Sequence, residues 1–284
     1  MIVSSATITP KGAAKNQDAS WIGHTQNYKV MAVADGIGSF EFAELAAQFA
    51  CQAIAEYTQK NSVQSFDMFE AFTYAQNFLS KKANQYLHQN NIQPVDIDLF
   101  GTTLIVAVEI DDEFICGYCG NGGIFHIRGN FDHFQNTQYL PWNAINYLNP
   151  HTVQNAQGRE ALYKFLSPQS TTTEYLPTTL RISKDNQWYG DILVICTDGI
   201  FSNDQVQIGK DSKDNIWIQG QKTISILYEY LKPLPLTKER LNQKMHQYLA
   251  HLLENKLLDD DATLAISISQ TAISYHQKRQ HETA

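Results

Sequence analysis

Apolar and polar positions along the 284-residue chain alternate between two periods. Residues 2–8, 19–23 and 28–34 read as short strands. Phe42, Leu45, Ala46, Phe49, Ala50, Ala53, Ile54 and Tyr57 then recur at the i, i+3, i+4 and i+7 spacing of one helical face. Phe69, Phe72, Ala75, Leu79, Ala83 and Tyr86 repeat that pattern in a second helix. Three β-rich runs follow at 102–109, 113–119 and 124–128. Residues 191–197 (DILVICT) form a buried strand, and 237–257 a third amphipathic helix with Leu241, Met245, Tyr248, Leu249, Leu252 and Leu253 on one face. At 263–269, Leu264, Ile266 and Ile268 alternate as in a half-buried strand. Residues 129–187 are rich in Asn, Gln, Pro and Thr, with Trp142, and are expected to be a mostly irregular insertion, a mobile flap. The polar tail at 271–284 is expected to fray. Strands then helices, followed by strands then a helix, predict an α+β sandwich with sheets inside and helices outside.

The length suits one large domain or two small ones. With 43% hydrophobic and 18% charged residues the chain is globular. Its net charge of -8 argues against non-specific nucleic-acid binding and against docking on anionic membranes, and fits a protein that gathers carboxylates around cations. Met1 to Ser5 lack a basic start and an apolar run, so no secretory leader is expected. No window approaches the roughly 18 apolar residues of a membrane span. Cys51, Cys116, Cys119 and Cys196 each sit in an apolar stretch and are expected to be reduced, buried and cytoplasmic. Cys116 and Cys119 form a CxxC within a strand, with no second ligand pair at zinc spacing, so neither zinc nor redox use is expected.

Four acidic spots share one grammar, an Asp where a hydrophobic strand meets a turn: Asn16-Gln17-Asp18, Ala34-Asp35-Gly36, Thr197-Asp198-Gly199 and Asp259-Asp260-Asp261. The strand fixes the direction of the residue at its tip, and a following Gly lets the backbone bend and approach a ligand. One Asp-Gly alone is usually a turn. Aspartates gathered without basic partners repel, and need a cation or a proton. Hard oxygen ligands without His or Cys favour Mg²⁺ or Mn²⁺ over zinc.

The order NQD, ADGIG, GTT, CGNGG, TDG and DDDAT resembles the type 2C (PPM) metal-dependent protein serine/threonine phosphatases, bacterial members above all, from Lys11 to Ser269. The resemblance implies a single domain over 1–284 and a four-layer α-β-β-α sandwich, its two central, mostly antiparallel sheets flanked by helices and the metals at one edge. It implies that Asp35 bridges two Mn²⁺ or Mg²⁺ ions and that the Gly36 carbonyl binds one of them. Asp198 and Asp260 would ligate one metal, and Asp18 would act near the other, directly or through water. Thr102 and Thr103 match the GTT threonines that support the core near the site. A water or hydroxide activated by the two ions would then attack phosphorus in line. No CxxxxxR loop of a cysteine phosphatase is present.

Three departures mark a divergent branch. Ala13 stands where many relatives carry a phosphate-gripping Arg; Lys11 or Lys15 could substitute, but a Lys is a point charge without the two-pronged contact. Asn121 stands where the family's VGD aspartate helps bind a third metal, so a third metal is expected to be weak or absent. Ser39-Phe40 replaces Gly-His after ADGIG, leaving no obvious general-acid His; His24, His126 and His133 are candidates only by proximity in sequence, and each reads first as a surface or packing residue. Glu44 matches the Glu of the helix after ADG and reads first as a helix-surface residue.

The reading expected from all this is a cytoplasmic, monomeric phosphatase acting on phosphoserine or phosphothreonine in a protein substrate, opposing a bacterial Ser/Thr kinase. The alternative is a catalytically weak PPM-like module that binds metal and a phosphoprotein; hydrolysis of a non-protein phosphate ester is a third.

Overall fold

The computed structural model describes residues 2–10, 15–61, 66–93, 99–133, 146–154, 160–204, 208–210, 212, 216–218 and 222–282. In chain order the elements are β1 (Ile2–Ile8), β2 (Asp18–His24), β3 (Lys29–Asp35), α1 (Ala43–Lys60), α2 (Met68–Gln89), β4 (Leu104–Glu109), β5 (Glu113–Cys119) and β6 (Gly123–Arg128). They continue as β7 (Thr152–Gln154), β8 (Glu160–Leu162), α3 (Thr172–Tyr175), β9 (Thr178–Ser183), β10 (Asp191–Cys196), β11 (Ile208–Lys210), β12 (Ile216–Ile218), α4 (Lys222–Tyr230), α5 (Lys238–Glu254), β13 (Ala262–Ile268) and α6 (Gln270–Glu282). The class is α+β, with antiparallel sheets and helices packed on them, as expected. Two compact units can be recognised.

The first unit comprises residues 12–122 and 148–183. Its sheet runs β2-β3-β4-β5-β9, antiparallel throughout. Helix α1 lies on β2 and β3, and α2 lies on α1. The contact face of α1 is built from Ala46, Ala47, Ala50 and Ala53, all fully buried with Val30, Ala32 and Ala34 of β3. Such small side chains let a helix backbone approach a sheet closely, while Phe72 and Leu79 of α2 fill the volume outside it. Burying each such Phe or Leu contributes roughly 1.5–3 kcal/mol. Asp67 caps α2, its side chain accepting from Glu70 N at 2.9 Å.

The second unit comprises residues 1–11, 123–147 and 184–284. Its sheet runs β1-β13-β10-β6, again antiparallel. Helix α5 packs on β1 through its predicted stripe, with Leu241, Met245, Tyr248, Leu249 and Leu252 fully buried. At the start of β10, the fully buried Asp191 accepts from Arg128 Nη1 at 2.6 Å and, through its other oxygen, from Asp185 N at 2.6 Å. His126 Nε2 lies 2.7 Å from the same carboxylate. This bonded network fixes the end of β10 away from the Thr197-Asp198-Gly199 turn.

Several segments differ from the sequence expectation: within the span read as an irregular insertion, β7 pairs with β8 and residues 172–175 form α3. In the same span, residues 178–183 form β9, paired with β5. Being a mostly exposed edge strand, β9 turns only Leu180 and Ile182 inward, an alternation too short to stand out in the sequence. The tail expected to fray is instead helix α6: Ala272, Ile273 and His276 are buried, Ser269 Oγ accepts from Ala272 N at 3.2 Å, and His276 Nε2 lies 2.6 Å from Gly129 O. A helix held by so few apolar side chains leaves little periodic signal. Helix α4, likewise unmarked in the sequence reading, packs on α5 through Ile224 and Leu227. Trp142 lies outside the described residues.

Candidate metal centre

The first unit places two acidic spots side by side. Strands β2 and β3 pair with Asp18 directly opposite Asp35. Asp18 is fixed by its own turn, its N donating to Asn16 Oδ1 at 2.8 Å. Gly36 continues from Asp35 with its N donating to Gln17 O at 3.0 Å, and Ile37 N donates to Gly101 O at 3.0 Å. The glycine is required by close approach: a Cβ at 36 would lie 2.4 Å from Ala43 O and 2.9 Å from Gln17 O. The β4 side holds Asp35 just as firmly. Thr103 N donates to Asp35 O at 2.8 Å, and Asp35 N donates to Thr103 Oγ1 at 3.1 Å. Thr102 Oγ1 lies 2.9 Å from Asp35 O, and both threonines are buried. The GTT run therefore grips the backbone of Asp35, a sharper role than general support of the core.

The second unit assembles the other two spots. Thr197 N donates to Thr263 O at 3.0 Å, and Thr263 N donates to Thr197 Oγ1 at 3.0 Å, so the ends of β10 and β13 are tied together. Gly199 lies against the backbone of Asp261 and Ala262; a Cβ on it would lie 1.8 Å from Asp261 O. Asp198 is half-buried, Asp260 exposed and Asp261 buried. Asp260 Oδ1 accepts from Asp261 N at 2.8 Å, and Ser202 Oγ donates to Asp259 Oδ1 at 3.0 Å. Within the Asp259–Asp261 run, burial alone separates Asp261 from its neighbours.

Each unit thus supplies carboxylates from its own strand ends, Asp18 with Asp35 and Asp198 with Asp260. Among the described residues no group of three or more His, Cys, Asp or Glu side chains stands ready to hold a metal. The donor chemistry of the pairs nonetheless fits a hard divalent cation: the donors are carboxylate and carbonyl oxygens, and like charges directly opposite on paired strands repel unless a cation lies between them.

The remaining candidates separate clearly. Lys11 and Ala13 lie outside the described residues. Lys15 is exposed and its Nζ is paired with Glu44 Oε1, which accounts for both residues in the resting chain. Asn121 lies between Gly120 and Gly122, both with positive φ (108° and 125°), at the tip of the β5–β6 turn. His126 is buried against Asp191, a packing role, and His24 is exposed. The side chain of His133 lies outside the described set. Phe40 packs on Gly101 and Phe165, so this position offers no general acid. All four cysteines are buried and outside any disulfide; burial pushes the thiols of Cys116 and Cys119 up to about 12, which keeps them protonated and inert. Among the described residues no helix is long and apolar enough to cross a membrane.

A family model described as Protein phosphatase 2C matches residues 11–254. No curated protein sequence matches the chain. Among solved structures, the chain is similar to the catalytic domain of the serine/threonine protein phosphatase PstP, solved with two manganese ions, at 15% identity and a TM-score of 0.60 over 94% of this chain and 98% of that one. It is similar to the PPM Ser/Thr phosphatase MsPP of Mycobacterium smegmatis at 16% identity and 0.59, over 94% and 97%. It is also similar to the serine/threonine phosphatase Stp1 of Staphylococcus aureus at 15% identity and 0.57, over 95% and 96%. At such identities the likeness is one of fold.

Proposed function

The chain belongs to the protein phosphatase 2C family, and from that premise we propose that it is a metal-dependent phosphatase that hydrolyses phosphoserine or phosphothreonine in a protein substrate. The observation that carries the reading is the strand end at Asp35–Gly36, bonded on both sides and set opposite a second carboxylate, Asp18. A backbone held that firmly presents a carboxylate in one direction without reorganisation at the moment of reaction, which is what electrostatic catalysis requires. Asp35, Asp198, Asp260 and Asp18, with the Gly36 carbonyl, are the groups that would hold two Mn²⁺ or Mg²⁺ ions. When bound, such ions lower the pKa of water and offset charge on the phosphoryl oxygens.

The chain's own part is positional. Thr102 and Thr103 fix Asp35, the Thr197–Thr263 pair fixes Asp198, and Asn16 fixes Asp18. Water would attack phosphorus in line as the bond to the serine or threonine oxygen breaks, and the proton that water gives up would be returned through solvent to the leaving oxygen, so no covalent phosphoenzyme is formed. The substrate would be the product of a Ser/Thr kinase. Neutral Asn121 favours a centre limited to two ions.

The test is hydrolysis of p-nitrophenyl phosphate and of a phosphothreonine peptide with Mn²⁺. Turnover should be abolished by EDTA and by Asp198→Ala; metal binding with no turnover on either substrate would overturn the enzyme reading in favour of a binding module. One observation favours that second reading: Lys15, a candidate phosphate contact, is held by Glu44.

A further inference from the structure

We propose that His151 is a positioning residue for the candidate centre: its imidazole clamps the Gly120–Gly122 turn and, through that turn, the threonine that holds Asp35. The geometry is continuous within the first unit. Gly120 N donates to His151 Nδ1 at 3.1 Å, and His151 N donates to Gly120 O at 3.0 Å, a two-point clamp on one residue. Because Nδ1 accepts, the ring proton sits on Nε2, which faces Thr178 Oγ1 at 2.8 Å. The residue is 5% exposed, and its ring is stacked on Tyr118 with centroids 4.9 Å apart and met edge-on by Tyr163 at 5.6 Å. Its orientation is therefore set on every side.

The clamp reaches Asp35 in two steps. Gly120 has φ +108°, a conformation that disfavours any side chain, and lies flat against Thr103: a Cβ at 120 would be 2.6 Å from Thr103 Cγ2. Thr103 Oγ1 in turn accepts from Asp35 N at 3.1 Å. Displacing the turn would press on the Thr103 methyl and rotate the hydroxyl that fixes Asp35. Burial and the charge of Lys164 hold the imidazole neutral by drawing its pKa down to about 4, so Nδ1 stays an acceptor at neutral pH. His151 belongs to no sequence motif and lies in the span that reads as irregular.

The experiment compares wild type with His151→Phe, which keeps an aromatic ring but no acceptor, and His151→Asn, which keeps a polar atom near Nδ1. The first readout is hydrogen exchange of the Gly120 amide in metal-free protein. The second, which rests on the phosphatase reading, is kcat and KM for p-nitrophenyl phosphate with Mn²⁺. His151→Phe should speed Gly120 exchange and lower kcat, each about 10-fold, with KM within about twofold, and His151→Asn should recover most of both. Should His151→Phe fail to fold, His151→Leu, which likewise lacks the acceptor, and Thr178→Val, which loses the Nε2 partner, carry the test with changes of the same sign. Unchanged Gly120 exchange in a folded variant that lacks the acceptor would overturn the clamp. Faster exchange with unchanged kcat would overturn its link to the centre. Wild type inactive on every phosphate ester would instead sink the phosphatase reading, while the exchange readout still decided the clamp.

Discussion

Asp35 donates its backbone N–H to the side chain of Thr103 over 3.1 Å, and Thr103 returns its own N–H to the Asp35 carbonyl over 2.8 Å. The exchange extends the β3–β4 ladder by one side chain, at the residue on which the proposed chemistry turns. Thr103→Val removes the acceptor and leaves a donor unsatisfied, at a cost of about 1–3 kcal/mol. Stability should fall by that amount in urea unfolding, and turnover by about 10-fold, because the direction of Asp35 is loosened. Thr103→Ser should restore most of both.

The pairing of Asp18 opposite Asp35 leads to a stability prediction of opposite sign in two buffers. Like charges facing across paired strands destabilise, by a few tenths to about 1 kcal/mol. Asp18→Asn should therefore raise the melting temperature in EDTA by a few degrees while reducing the stabilisation that Mn²⁺ adds. Scanning both proteins in both buffers checks it; a lower melting temperature for the variant in EDTA would contradict it.

Glu44 holds Lys15 in the resting chain, so the two readings of Lys15 can be separated by releasing it. If Lys15 serves the substrate phosphate, Glu44→Gln should lower KM for a phosphopeptide, and adding Lys15→Met should reverse the gain. With Lys15 exposed and Glu44 half-buried, the pair itself should contribute no more than about 1 kcal/mol to stability.

His151 also predicts a pH dependence. Its pKa is depressed to about 4 from the ordinary 6.5, chiefly by burial and then by Lys164. The unfolded chain therefore binds a proton between those values and the folded chain does not. Its contribution is complete above about pH 6.5 and is lost as pH falls toward 4, roughly 2 kcal/mol after allowing for screening. Urea unfolding of wild type should weaken over that window more steeply than that of His151→Phe, and parallel pH profiles would contradict it.

Much of this was legible in the sequence because it rests on short-range pattern. Strands β1, β3, β10 and β13 and helices α1, α2 and α5 declare themselves by period, since each buries one face or two. Asp35 and Asp198 announce themselves as Asp-Gly at strand ends, and Gly36 and Gly199 prove to be places where a Cβ would strike backbone. What sequence could not show depended on partners distant along the chain. Strand β9 exists because β5 offers an edge, α6 because Gly129 and Ser269 receive it, and His151 matters because a turn 31 residues earlier needs an acceptor. The Lys15–Glu44 pair was hidden for the same reason.

Asp191 shows how a buried charge can be structural. Bonded to Arg128 and to Asp185 N, with His126 in contact, it lies at the far end of β10 from Asp198. Asp191→Ala leaves the Arg128 charge without its partner in a partly buried site, and should cost about 3–5 kcal/mol in urea unfolding. Mn²⁺ affinity of the fraction that remains folded should stay within about threefold of wild type.

The most direct measurement is calorimetric titration of Mn²⁺ into metal-free wild type, Asp35→Asn, Asp198→Ala and Asp260→Asn. Two ions should bind per wild-type chain, and each substitution should remove one or weaken binding about 10- to 100-fold. Isotherms for Asp35→Asn and Asp198→Ala that superimpose on wild type would contradict the account.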